Sequence, residues 1–322
     1  MAIQFALQDG KSLSQRPSIA AYVVDRAFFL AAGLGAFTIV ALVAYILWEI
    51  GGQALPAVIK NGPQFLVNTH WNVQNQSFGI LPQIWGTLYS SLLALLIGGF
   101  VGVTIAIILT QDFLPHQIAV VFRTLIEMLA AIPSVVFGLW GIFVVIPFIR
   151  PAADWLHDVA GFIPFFGTSL SGPGMAPAVI VLAIMILPTV AAISQDAISL
   201  VPYKVKEAAY GMGTTRWEAI LKVIVPTASG GISSSLVLGF GRALGETMAL
   251  AMLIGNANQI SLSLFSPANT LASLLASNFP EAGQIERQAL MYAALVLLAI
   301  TLVVNVIGTL ILAWTSRKIV KA

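Results

Sequence analysis

The stretch that decides the fold is VPYKVKEAAYGMGTTRWEAILKVIVP, residues 201–226. It is a polar, basic interruption between long apolar segments. Pro202 suits a first helical position, where its missing N–H costs nothing. Val205, Ala208, Ala209 and Met212 then recur at i, i+3, i+4 and i+7, which makes one apolar helix face. Gly213 ends that helix. Thr215 and Glu218 form a T-x-x-E capping box that opens the next one. Trp217, Ile220, Leu221 and Ile224 supply its apolar face, and Pro226 closes it. Two short amphipathic helices set back to back between apolar segments form a hairpin able to carry force from a soluble partner into the membrane.

Composition defines the surroundings of this hairpin. The chain has 322 residues, 58% hydrophobic and 9% charged, against roughly 25% charged in soluble domains. The bilayer is therefore its main solvent, and the fold class is all-α and polytopic. A net charge of +2 makes no case for nucleic acid. The absence of cysteine excludes disulfides, thiol catalysis and thiolate metal sites. His70, His116 and His157 lie far apart and outside metal-ligand spacings, so no metal site is expected.

Six apolar segments are long enough to cross a bilayer: 27–48, 84–109, 118–148, 177–193, 228–254 and 289–314. They organise the chain as a polar N-terminal segment, 1–26, a six-span domain, 27–314, and a basic tail, 315–322. The first apolar run is too long for a signal-peptide core and reads as a retained span. The third is ambiguous, because Pro133 interrupts it. Either the helix kinks there, or 118–131 lies along the interface and the span begins near Ser134.

Basic residues orient the set. With the N-terminus in the cytoplasm, that side collects Lys11, Arg16, Arg26, Arg123, Lys204, Lys206, Arg216, Lys222, Arg317, Lys318 and Lys321, while the outside receives Lys60, Arg150 and Arg287. This asymmetry fits the positive-inside rule. It puts both termini and the hairpin in the cytoplasm. The segments 51–83, 150–176 and 256–288 become external loops, irregular with a short helix each.

Arg242 and Glu246 stand in GFGRALGETMA, inside the fifth span. Ionisable groups at membrane depth are expensive, about 2.5–3.5 kcal/mol on insertion scales, and face protein or water. At i, i+4 the two share a helix face. One reading is a self-neutralised pair that fixes packing. The other is an anion contact, in which the guanidinium grips a tetrahedral oxyanion and Glu246 holds and partly balances it. Arg123 and Glu127 repeat the spacing before Pro133, either as an ordinary surface pair or as a second charged pair facing a pore. Gly98 and Gly102, like Gly241 and Gly245, form G-x-x-x-G stripes for close helix approach, within the chain or with a partner.

No G-x-x-x-x-G-K-[ST], G-x-S-x-G or dinucleotide fingerprint occurs, and there are no paired catalytic carboxylates. No catalytic residue is expected. If ATP energises this chain, another chain hydrolyses it.

The hairpin resembles the EAA loop of ABC importer permeases, on Glu207, Ala208, Ala209, Gly213, Val223, Val225 and Pro226. Valines stand where that family more often has Ile and Leu. The stretches NVQNQSFGILPQIWGTLYSSLLA, IEMLAAIPSVVFGLWG and GFGRALGETMA are similar to the PstC-type permeases of phosphate-specific transport (Pst) systems, more than to the PstA type. This resemblance implies a type I, MetI-like importer architecture, and a first hairpin helix that docks into a groove on an ATPase subunit. It implies a PstA-like second permease, a dimeric PstB-like ATPase that binds ATP and Mg, and a periplasmic PstS-like phosphate-binding protein. It also implies that Arg242 and Glu246 take part in phosphate passage. Rival readings are a permease for molybdate or sulfate, an ion-coupled secondary transporter, and a non-transporting sensor or scaffold. A secondary transporter should show internal repeats with helices broken at the midplane, and no convincing repeat appears.

Overall fold

The computed structural model describes residues 19–320, with side chains through Ile311. Lys11, Arg16 and Lys321, and the side chains of Arg317 and Lys318, lie outside the described residues, as do most of the polar segment 1–26 and the basic tail 315–322. The described residues form α-helices joined by short π and 3-10 turns, without strands apart from an isolated bridge between Asn72 and Ser77.

The first compact unit ends at Gly52 and is most of α1, Ile19–Asn61. This stretch is apolar all round, with Phe28, Phe37 and Trp48 all exposed. An all-round apolar helix needs lipid or another helix as its solvent.

The second unit starts at Gln53. After α2, Gln64–Val67, comes α3, Leu81–Thr110. Then α4, His116–Ala131, stands apart from α5, Ser134–Trp140, and the π turn Gly141–Val145 leads into α6, Ile146–Ala160. Ile132, held extended before Pro133, makes the break (φ −71°, ψ 127°), as the clash with a following proline ring demands. The span is therefore Ser134–Ala160 rather than 118–148. It also takes in Arg150, which leaves a shorter loop after it than the sequence suggested.

A helix at the centre, α7, Met175–Ser199, carries much of the core. It is followed by α8, Tyr203–Gly211, α9, Arg216–Ala219, the π turn Ile220–Ile224, and α10, Val225–Thr227. A 70° bend separates this run from α11, Ser229–Leu244. The remaining helices are α12, Met248–Leu253, α13, Leu271–Asn278, and α14, Gln284–Val320. Among the described residues, five helices are long and apolar enough to cross a membrane, and the bent pair Arg216–Thr227 and Ser229–Leu244 counts as a sixth if taken as one span.

Glycines set how closely these helices approach. A Cβ on Gly98 would lie 2.5 Å from the Ala183 carbonyl oxygen and 2.8 Å from Ile186 Cγ1, and one on Gly102 would lie 3.0 Å from Val190. The G-x-x-x-G of α3 is thus spent inside the chain, on α7. Gly239 of α11 comes as close to the same Val190, and the buried hydroxyls of Ser194 and Ser235 meet at 2.8 Å. Gly241 faces Asn305 of α14, whereas Gly245 meets only its own preceding turn.

The segment 256–288 holds the short helix expected of it, α13, and the rest of it is not loose. It folds back into the bundle and buries Ser263, Phe265, Ser266, Asn269, Thr270 and Leu271. The reason lies in the start of α7, whose first amides have no intrahelical partner. Met175 N–H donates to the Ser266 carbonyl at 3.0 Å and Ala176 N–H to Leu264 at 2.6 Å, while Gly174 N–H donates to Leu253 at 2.8 Å. The turn that brings the segment back needs Gly255, at φ +92° and with Pro267 Cβ 2.6 Å from where its own Cβ would stand.

Gly98→Leu is expected to pry α3 from α7 and destabilise the fold by about 1–3 kcal/mol or more. Gly35→Leu, at a position with open space around it, is the control. Thermal unfolding in detergent should show a lowered midpoint for the first variant and an unchanged one for the second.

Candidate functional site

The hairpin is built from local signals. Pro202 is the residue before α8 rather than its first residue, with φ −57° and ψ 138°. The helix ends on Gly213, whose φ of +78° only glycine adopts without strain. The capping box is present: Thr215 Oγ1 accepts from Glu218 N–H at 3.4 Å, and Thr215 N–H donates to Glu218 Oε2 at 3.0 Å. Lys222 Nζ reaches the other carboxylate oxygen at 3.1 Å.

Pro226 does not close the second helix. The chain widens into a π turn before it, continues to Thr227, and turns at Ala228. Proline has no N–H to give the carbonyl one turn earlier, so the hydrogen-bond ladder slips there.

The two apolar faces are only half used. Ala209, Ile220 and Ile224 are buried, and the two isoleucines pack with Ile198 and Val201. Met212 is 85% exposed, with Trp217 and Leu221 also exposed. Lys204, Val205, Ala208, Ala209, Met212 and Val223 line an open apolar groove of about 420 Å³. Beside it, a polar cavity of about 340 Å³ is lined by Gln111, Asp112, Tyr203, Lys206, Glu207, Tyr210 and Arg216. The spent half of each face anchors the hairpin to the bundle, and the unspent half lies open.

Arg216 is a residue whose partner the sequence did not disclose. Its guanidinium donates to the Gln111 carbonyl, at the end of α3, and lies 4.0 Å above the Phe113 ring. Phe113 in turn sits 5.1 Å from the Trp217 ring.

Arg242 and Glu246 do not share a helix face. The helix ends at Leu244, and Gly245, Glu246 and Thr247 form a break before α12. Glycine is a poor helix former, and the Thr247 hydroxyl turns back to the Gly245 carbonyl at 3.0 Å. No ion pair joins the two residues among the described residues. Instead Arg242 Nη1 donates to Thr189 Oγ1 of α7 at 3.1 Å. Arg123 and Glu127 likewise form no ion pair. The Arg123 guanidinium donates to the side-chain oxygen of Gln195 on α7, once that amide is oriented to present its oxygen. Both arginines thus rest on neutral groups of α7. Gly245, Glu246 and Thr247 lie between apolar stretches that together are long enough for one span, so the sequence reads as an unbroken helix there.

His70, His116 and His157 belong to no metal-type cluster, and none exists among the described residues.

Residues 102–321 match the family model of binding-protein-dependent transport system inner membrane components. The Phosphate transport system permease protein PstC of Pasteurella multocida is 42% identical over 262 residues, 80% of this chain and 82% of that one. That of Haemophilus influenzae is 39% identical over 294 residues, 90% and 93% of the two chains. The chain belongs to this family, on its PstC branch. A bacterial alginate ABC transporter in complex with its alginate-bound periplasmic protein has a chain of the same fold, at TM-score 0.60 and 16% identity, over 89% of this chain and 94% of that one. An inward-facing MetNI methionine ABC transporter gives 0.54 and 16%, over 73% and 95%. The chain is therefore a multi-pass ABC importer permease with the MetI-like fold.

The capping network yields a pH dependence. The backbone N–H of Thr215, then Lys222 and the Thr215 hydroxyl, hold the Glu218 carboxyl down to about 2, from an ordinary 4.5. A depressed value means that the ionised carboxylate stabilises the fold above about 4.5 and that this contribution fades as pH falls towards 2. The Thr215 amide, which donates to this carboxylate, should be protected from hydrogen exchange at neutral pH, with a protection factor that falls as the pH drops below 4.5. Glu218→Gln should remove that pH dependence.

Proposed function

We propose that this chain is the PstC-type subunit of an ATP-driven importer that moves inorganic phosphate across the bacterial inner membrane. The observation that carries the reading is its similarity to PstC permeases over nearly the full length of both chains. Both termini and the hairpin lie in the cytoplasm. The spans form one permease domain, 27–314, paired with a PstA-like permease. A dimeric PstB-like ATPase binds ATP and Mg, and this chain holds no cofactor of its own. A PstS-like periplasmic protein delivers phosphate to the opposite face.

In this reading α8 docks on the ATPase. Glu207 and Ala208 face the partner, the buried Ala209 seats the helix, Gly213 lets the chain reverse, and Pro226 with the π turn leads into the 70° bend. The open groove of about 420 Å³ fits that role, because an apolar surface left bare on a polar hairpin is a partner surface. ATP binding favours one of two permease states and so drives alternating access.

Arg242 is the phosphate contact on the translocation path. A guanidinium has five N–H donors, and Thr189 occupies one of its nitrogens without neutralising its charge. That arrangement suits an anion better than the i, i+4 pair expected from spacing. Glu246, in the break just beyond, keeps the site from becoming a deep anion trap. Arg123, on Gln195, is a second cation along the same helix, with Glu127 one turn on.

Two measurements test this in the complex reconstituted in vesicles. Arg242→Gln should lower phosphate uptake about tenfold or more with assembly intact, since a charge-assisted hydrogen bond contributes about 1.5–3 kcal/mol. Uptake at the wild-type rate would exclude the role, and uptake of sulfate or molybdate in place of phosphate would exclude the substrate. Glu207→Lys should lower recovery of the ATPase with the permease, whereas undiminished recovery would exclude docking through α8.

A further inference from the structure

The hairpin is tied to the bundle covalently at both ends, and through Ile220 and Ile224, which pack with Ile198 and with Ala106 of α3. One end continues from α7 through Leu200 and Val201, and the other enters α11 across the bend at Ala228. A further, polar tie is Arg216. It opens α9, yet its guanidinium lies back across the turn that follows α3.

The acceptor there is the carbonyl of Gln111, a residue only 7% exposed. The last carbonyls of a helix lack intrahelical partners and carry the negative end of its dipole, so a fixed cation stabilises them. The Phe113 ring receives the guanidinium face at 4.0 Å, a cation–π contact. The same ring tilts against Trp217 at 5.1 Å and packs into the cluster of Ile198, Ile220 and Ile224. Asp112, between the two contacts, is held at φ +51°. Hence the 111–113 turn is seated on the second hairpin helix by a hydrogen bond, a cation–π contact and a ring pair. Beyond the turn, α3 is seated on α7 through Gly98 and Gly102 with no room to slide.

We infer that Arg216 is a positioning residue that delivers movement of the hairpin to α3, so that α3, α7 and α11 shift as one unit. The inference rests on the importer reading above and deepens it by naming the strut. A cation is needed for the buried carbonyl, and a planar one for the ring. Lysine supplies the charge but not the fork or the flat face.

The test uses the assembled complex with its ATPase, permease partner and binding protein in vesicles. Arg216→Ala should still recover the ATPase and hydrolyse ATP, but phosphate moved per ATP should fall about fivefold or more, the range of a coupling free energy. Arg216→Lys should recover only part of that loss. The natural chain has no cysteine, so Phe113→Cys with Trp217→Cys can be joined by a short bifunctional thiol reagent in the Arg216→Ala background. Joining them should restore phosphate per ATP. Unchanged phosphate per ATP in Arg216→Ala overturns the inference. So does loss of the ATPase in that variant, which would make Arg216 a docking residue, and so does a cross-link that restores nothing. Wild-type uptake in the same vesicles tests the importer reading separately.

Discussion

The close seating of α3 on α7 is the constraint on which the rest depends. Lipid offers helices no hydrophobic reason to associate, so contact must come from shape and from polar groups that meet. Gly98 and Gly102 provide the shape for α3 against α7, and Gly239 with the Ser194–Ser235 hydroxyl pair provides it for α11. With α7 held by both helices, its two ends become fixed points. One end is capped by the returning segment through Ser266 and Leu264. The other runs directly into the hairpin.

That geometry explains why a small polar element can govern a large apolar one. The hairpin commits Ile220 and Ile224 to the bundle and leaves Met212, Trp217 and Leu221 uncovered. Burying both faces would leave nothing for a partner, and burying neither would leave nothing to pull on. The capping box, the left-handed Gly213 and the π turn ahead of Pro226 stiffen the element between those surfaces. Arg216 extends the grip to the end of α3.

The parts of the molecule legible in its sequence are those with local causes. Gly213 and the T-x-x-E spacing mark the hairpin because the residues that start and stop a helix lie within one turn of the effect. Pro133 marks the break before the third span for the same reason. The break at 245–247 escaped because the apolar stretches on either side of Gly245, Glu246 and Thr247 add up to one span, and the pairing of Arg242 with Glu246 was inferred from a helix that does not continue. Thr189 and Gln195, the true partners of Arg242 and Arg123, are distant in sequence and chemically plain. The return of 256–288 into the bundle was hidden because its Asn, Ser and Pro residues look like a solvated loop. They are retained inside because α7 needs carbonyls at its first amides. A broken helix alone does not mark an ion-coupled transporter, since here it occurs in an ABC importer permease.

The central claim is that an engine outside this chain acts on the hairpin from the cytoplasm. A single cysteine at Met212, 85% exposed in a chain with no other thiol, tests it most directly. A membrane-impermeant maleimide should leave this cysteine unlabelled in intact cells, label it in inside-out vesicles stripped of peripheral proteins, and lose access when the ATPase is returned. Labelling from the outside of intact cells would contradict the account.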